Sequence, residues 1–124
     1  LEALVAGAEE VAGVPVLTAV VDGAGAKQLP EIADHCKNKL GPSVVVLGTA
    51  DEGKVALIAA VDPAVVARGV RAGELVKVAA PVVGGGGGGK DTMAQAGGRE
   101  PAKLDDALRA ARQAVEEVLE RAGS

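Results

Sequence analysis

The chain has 124 residues, 48% of them hydrophobic, yet none is Phe, Trp or Tyr. Its net charge of −4 argues against nucleic-acid binding by bulk positive charge, and its single cysteine, Cys36, excludes an internal disulfide. No apolar run is long enough to cross a bilayer and no signal peptide is visible, so we predict no membrane association and a cytoplasmic location, with an organelle as the alternative.

The N-terminal segment is predicted to be a short helix over Leu1–Val11. It has no start signal, and isolated helices of this length are marginal. Because the chain begins with leucine rather than methionine, we interpret residues 1–12 as the remnant of a longer upstream helical segment. Residues 13–124 are then predicted to form one globular domain.

The next part of the chain is typical of a β-α-β-β arrangement. The continuous apolar run Val14–Val21 predicts a strand buried on both faces. Apolar residues at helical spacing from Leu29 to Leu40 predict a helix that ends at Gly41-Pro42. The runs Ser43–Leu47 and Val55–Val61 predict two further strands joined as a hairpin.

Three helical segments come after these strands. Asp62-Pro63 is a helix start signal for a helix that runs to about Arg68. A second helix is predicted to end near Pro81, and the last begins at Pro101 with an apolar stripe that starts at Leu104. Three i,i+4 pairs are expected on its exposed side: Asp105–Arg109, Arg112–Glu116 and Glu117–Arg121.

Together these elements predict an α/β fold. It consists of a small mixed β-sheet (β-α-β-β) with helices packed on it, a glycine-rich loop before the C-terminal helix and an N-terminal helix stub.

The glycine-rich loop, Gly84–Arg99, reads GGGGGGKDTMAQAGGR. Such a bare backbone is costly to order, but it lets a phosphate approach closely. Lys90 would add a positive charge beside it, and Gln95 a donor and an acceptor. A flexible linker remains the alternative on composition, and solvated surface charge is the alternative for the nearby cations.

The residues after the glycine run argue against nucleotide hydrolysis. Gly84–Lys90 matches the P-loop pattern, but six consecutive glycines match almost any glycine pattern. Asp91 stands where a P-loop needs a hydroxyl for magnesium, and no helix is predicted before Gly97-Gly98. We therefore predict no nucleotide cofactor.

His35 and Cys36 are adjacent, but the chain has no second histidine or cysteine to complete a catalytic or metal site. We expect Cys36 to be a buried core residue and Met93 to anchor the glycine loop to the core. No catalytic residue, metal or other cofactor is predicted.

The segment GGGGGGKDTMAQAGG resembles the signature of the C-terminal domain of alanyl-tRNA synthetases, which belongs to the DHH-associated domain family. The flanking segments AKQLPEIADHCKNKLGPSVVVLGTADEGKVALIAAV, RAGELVKVAAPVVGG and KLDDALRAARQAV are also similar to that domain. The resemblance therefore covers roughly Val14 to Leu119. Many bacterial members have Arg-Pro-Asp before the methionine, where this chain has Lys90-Asp91-Thr92.

The resemblance implies a non-catalytic domain that holds the outer corner, or elbow, of tRNA to support aminoacylation and editing. It implies as partners an alanine-specific tRNA and the upstream catalytic and editing domains of a parent chain, with a homodimer through the N-terminal helical segment as an option. The tRNA-binding residues expected from it are Lys77, Gly86, Gly87, Gly88, Gly89, Lys90, Asp91, Gln95, Gly97, Gly98 and Arg99.

Two alternative functions remain open. One is an accessory domain of a DHH-type phosphoesterase that binds nucleic acid or a small phosphorylated ligand. The other is a dimerisation or interaction module whose glycine loop only packs against the fold. A freestanding enzyme is disfavoured because a nucleophile, a base and metal ligands are all lacking.

Overall fold

The computed structural model describes residues 2–23 and 25–123, and it contains one six-stranded sheet. Leu1 and Ser124, the ends of the predicted segments 1–12 and 13–124, lie outside the described residues. The strands in chain order are β1 (Glu9–Val11), β2 (Val14–Val20), β3 (Val44–Asp51), β4 (Lys54–Val61), β5 (Gly86–Gly89) and β6 (Met93–Gly98).

The spatial order of the strands is β1-β2-β3-β4-β6-β5. Only β2 and β3 are parallel, and all other neighbours are antiparallel. The parallel pair is connected through a helix, as parallel strands require. The prediction of an α/β fold with a mixed sheet is confirmed.

Helices cover both faces of the sheet. They are α1 (Glu2–Ala6), α2 (Leu29–Leu40), α3 (Pro63–Val66), α4 (Ala72–Ala79) and α5 (Leu104–Gly123). Residues of α1 and α2 pack in one apolar cluster with side chains of β2, β3, β4 and β6. Residues of α4 and α5 pack in a second cluster on the opposite face. We call these the α2 face and the α5 face.

The helix predictions after residue 60 are largely confirmed. The Asp62 side chain accepts a hydrogen bond from the Ala64 N–H at 2.9 Å, which caps α3. In α5 the predicted Arg112–Glu116 pair is present at 3.5 Å. Arg109 pairs with Asp106 at 3.8 Å rather than with Asp105.

The N-terminal helix is shorter than predicted, because α1 ends at Ala6 and Glu9–Val11 forms β1. Ala12 and Gly13 both have positive φ (50° and 83°), which makes a two-residue hairpin turn. The turn folds Val11 back against Val14, and both become buried. The helix prediction over Leu1–Val11 was therefore wrong in its second half, because the turn at Ala12-Gly13 pairs Glu9–Val11 with β2 as a strand.

The predicted glycine loop is largely a β-hairpin. Gly86–Gly89 forms β5, an edge strand, and it pairs with β6, which in turn pairs with β4. Three residues, Lys90–Thr92, connect the strands, and the Lys90 N–H donates to the Met93 carbonyl at 2.8 Å. The loop prediction was wrong here because glycine has no side chain to reveal a strand pattern.

Candidate nucleic-acid interface

The glycines of the hairpin fall into two sets, one on each face of the sheet. Opposed residues of antiparallel strands point to the same side, and Gly86 lies opposite Gly97 while Gly88 lies opposite Gln95. Met93, two residues before Gln95 on β6, packs in the apolar cluster of the α2 face. Gly86, Gly88 and Gly97 therefore belong to the α2 face.

The glycines of the α5 face are required by close packing. A Cβ at Gly87 would lie 2.5 Å from Ala96 Cα, and one at Gly89 would lie 2.6 Å from Ala94 Cα. A Cβ at Gly98 would lie 2.6 Å from the Val83 carbonyl oxygen. These glycines let β5 and β6 approach each other and the turn before them.

The glycines of the α2 face have no such structural reason. A Cβ at Gly86 or Gly88 would meet nothing within 4 Å, and one at Gly97 would meet only the Val55 carbonyl oxygen at 3.6 Å. None of the three has a positive φ. Packing and backbone conformation thus both permit a side chain, and the strand surface is nevertheless bare.

Gly88 of this bare surface lines a groove of about 580 Å³ beside α2. Two cations line it, Lys37 from α2 and Lys90 from the hairpin turn. Its other lining residues, all from the hairpin, are Gly88, Gly89, Thr92, Met93, Ala94 and Gln95. The combination of exposed backbone and two ammonium groups suits a phosphate-bearing ligand.

A second cavity of about 350 Å³ lies at the other end of α2 and is also lined by Gln95. Its lining comes from the turn before α2 and the first residue of that helix, from the β3–β4 hairpin and from β6: Gly25, Ala26, Leu29, Thr49, Asp51, Lys54, Val55, Ala56, Leu57, Ala96 and Gly97. We call it the end pocket. Gln95 lines both cavities, which are therefore neighbours, and we call the two together the concave strip between α2 and the glycine hairpin.

The structure does not bring all predicted site residues into this strip. Lys77 is exposed on α4, which covers the opposite face. The Asp91 carboxylate lies 3.8 Å from Arg71 Nε. The backbone carbonyl of Asp91 accepts a hydrogen bond from the Ala72 N–H at 2.8 Å. Asp91 therefore joins the hairpin turn to α4, and Arg99 is exposed just beyond β6.

Sequence reasoning missed Lys37, Asp51 and Lys54. Lys37 lies four residues after the buried Ala33, at the edge of the apolar stripe of α2, where a long cation can reach the sheet surface. Asp51 and Lys54 are opposed across the two-residue β3–β4 turn. That Asp51 and Lys54 lie on the same face of the sheet was predictable from the β3–β4 turn. Their nearness to β6 was not, because β6 itself was not predicted as a strand.

Cys36 is fully buried, as predicted, and burial raises the pKa of its thiol. A protonated thiol in the core is a poor nucleophile. Among residues 2–23 and 25–123, no group of three or more His, Cys, Asp or Glu side chains is arranged to hold a metal ion. No helix in the described part of the chain is long and apolar enough to span a membrane.

Comparison with known proteins identifies the family. The DHHA1 domain matches residues 13–117, so the chain belongs to the DHHA1 domain family. It is 52% identical over 105 residues to the alanine–tRNA ligase of Ralstonia nicotianae, covering 85% of this chain and 12% of that ligase. It is 46% identical over 119 residues to the alanine–tRNA ligase of Acetivibrio thermocellus, covering 96% of this chain and 14% of that ligase.

The fold comparison agrees with the sequence relatives. The C-Ala domain of Aquifex aeolicus alanyl-tRNA synthetase superposes with a TM-score of 0.76 at 25% identity, covering 90% of this chain and 96% of that domain. The resemblance to the C-terminal domain of alanyl-tRNA synthetases is thereby confirmed. The chain spans 12–14% of the length of the two ligases.

Proposed function

We propose that this chain is a tRNA-binding accessory domain of an alanyl-tRNA synthetase and that its groove holds the sugar-phosphate backbone at the outer corner of the tRNA. The observation that carries the proposal is the bare strand surface of Gly86 and Gly88, which packing does not require. We infer tRNA as the nucleic acid because the two relatives, both much longer than this chain, are alanine–tRNA ligases.

The groove suits a backbone contact better than a stacking contact. The chain has no aromatic side chain on which bases could stack. Lys37 and Lys90 line a floor of exposed glycine backbone. Phosphate contacts of this kind position a protein on RNA by its shape.

The proposed domain performs no reaction itself and acts through its connection to other domains. A net charge of −4 predicts weak binding by this chain alone. In a parent synthetase, catalytic and editing domains would bind the same tRNA, and tethering raises the effective concentration of the weak contact. Both activities would then be served by one bound tRNA.

The direct test is binding of the chain to a deacylated alanine tRNA, a non-cognate tRNA and a single-stranded RNA over a range of salt concentrations. We expect similar, salt-sensitive binding to both tRNAs and little to the single strand. Preference for the single strand would favour the phosphoesterase-type accessory domain. Binding to none of them would contradict the proposal and favour an interaction module.

A pair of lysine variants tests the groove itself. Lys90→Ala should weaken tRNA binding and reduce the salt slope by about 0.7–0.9 for each phosphate that the variant no longer neutralises. Lys77→Ala removes the same charge from the opposite face and should change neither the affinity nor the slope. An equal decrease in both variants would indicate that general charge, rather than the groove, attracts the tRNA.

A further inference from the structure

We propose that the end pocket binds one unpaired guanine base of the RNA whose backbone lies in the groove. This inference rests on the proposed function, because it assigns a second subsite to the same concave strip. Gln95 lines both cavities, so a nucleotide can place its phosphate over the glycine strand and its base in the end pocket.

The volume and the lining of the end pocket suit a base. Its volume of about 350 Å³ lies at the small end of the range for ligand sites, about 300–1,000 Å³. Its walls include the aliphatic side chains of Leu29 and Ala56, and its floor includes the backbone of Gly97. A base in this pocket would contact aliphatic groups and backbone without an aromatic partner.

The charges of the end pocket favour a base over a phosphate. Asp51 and Lys54 lie opposite each other across the β3–β4 turn and point to the α2 face, like Ala56 and Gly97. A carboxylate at this position repels a phosphate. Neither Asp51 nor Lys54 has a side-chain partner within the described part of the chain, so both are free to bind a ligand.

Guanine is the base that matches this pair of charges. Its N1–H and N2–H₂ are adjacent donors that suit the two oxygens of the Asp51 carboxylate, and its O6 and N7 are acceptors for the Lys54 ammonium. Adenine, cytosine and uracil each offer only one donor group on that edge. Charge-assisted hydrogen bonds of this kind are stronger than neutral ones and favour guanine.

The test measures chemical shifts and affinity of the full chain titrated with GMP, IMP, AMP, CMP and UMP. We expect GMP to bind most tightly, with shifts at Leu29, Asp51 and Gly97. IMP lacks the N2 amino group and should bind several-fold more weakly. Asp51→Asn should reduce GMP binding about tenfold, as expected when a bidentate pair is broken. Glu52→Gln changes the same charge at the exposed neighbouring turn residue and should have no effect.

Titration of the tRNA separates this inference from the proposed function. If the tRNA binds through Lys90 but Asp51→Asn changes nothing and GMP shows no preference, the guanine subsite is wrong and the groove assignment stands. If GMP binds preferentially but tRNA does not bind, the guanine preference of the end pocket stands, whereas the proposed function and the placement of an RNA guanine in that pocket both fall. Binding of all five nucleotides with equal affinity would overturn the guanine assignment.

Discussion

At the scale of single residues, successive glycines of β5 face opposite sides of the sheet and have different roles. Those on one side are needed for close packing, and those on the other side leave the surface open. Gly87 and Gly89 lie against β6 so closely that a methyl group would collide with backbone atoms. Gly86 and Gly88 have free space on the other face. The run of six glycines thus contains glycines that packing requires and glycines that it does not, and the sequence alone does not distinguish them.

Alanine substitutions at adjacent positions test this difference through stability. Gly87→Ala should lower the free energy of unfolding by about 1–3 kcal/mol or more, because overpacking displaces the strand. Gly88→Ala should leave it unchanged or raise it by about 0.4–1 kcal/mol, because the unfolded chain loses entropy. Denaturant unfolding measures both, and equal destabilisation by the two variants would contradict the assignment of faces.

Glu9 provides a pH-dependent test of the N-terminal hairpin. The Arg112 guanidinium donates a hydrogen bond to Glu9 Oε1 at 2.6 Å and holds the pKa of this carboxyl below its ordinary value of 4.5. Since the pKa of Glu9 is lowered in the folded state, the ion pair stabilises the folded protein above pH 4.5. This stabilisation is lost as the pH falls through the folded-state pKa.

The measurement is the difference in the free energy of unfolding between the wild type and Glu9→Gln, from neutral pH to a pH below the folded-state pKa of Glu9. We expect the wild type to be more stable at neutral pH and the difference to vanish in acid. Glu10→Gln, at the exposed neighbouring position, is the control and should show no such dependence. A pH-independent difference for Glu9→Gln would show that the ion pair does not form.

At the scale of elements, α2 forms the wall of the groove, and its position depends on its buried face. Leu29, Ala33 and Cys36 of this helix are at most 2% exposed and pack against β2, β3 and β4. Lys37 lies next to Cys36 and lines the groove. Core packing therefore places a cation where the proposed ligand passes.

Cys36→Ser tests whether this core residue has only a structural role. The new hydroxyl would be buried among apolar side chains, at a cost of about 1–3 kcal/mol if it finds no partner. We expect a lower melting temperature with unchanged tRNA affinity below the transition. Loss of binding in a variant that remains folded would show that the thiol contributes to the interface.

The β-α-β-β arrangement and α5 were predictable because their signals are local. Val14–Val20 reads as a buried strand, and the apolar stripe of α5 repeats with helical spacing. The strands β5 and β6 were not, because glycine and alanine carry little strand preference and the pairing of β6 with β4 is long-range. Lys90 and Gln95 could be predicted as candidate site residues, whereas the candidates Lys37 and Asp51 required knowledge of which strands are neighbours.

At the scale of the whole molecule, the groove lies on a chain whose overall charge opposes RNA binding. The net charge is −4, while Lys37 and Lys90 place two cations beside a neutral strand. Binding should therefore be weak, local and sensitive to salt. Such a contact is useful in a longer protein whose other domains hold the same ligand.

The measurement that tests the central claim most directly is tRNA affinity of Gly88→Ala at a temperature where its unfolding curve shows it to be fully folded. We predict a clear loss of affinity with stability equal to or above that of the wild type, because the added methyl group stands on the open floor of the groove. Unchanged affinity in the folded variant would contradict the claim that RNA lies against this strand.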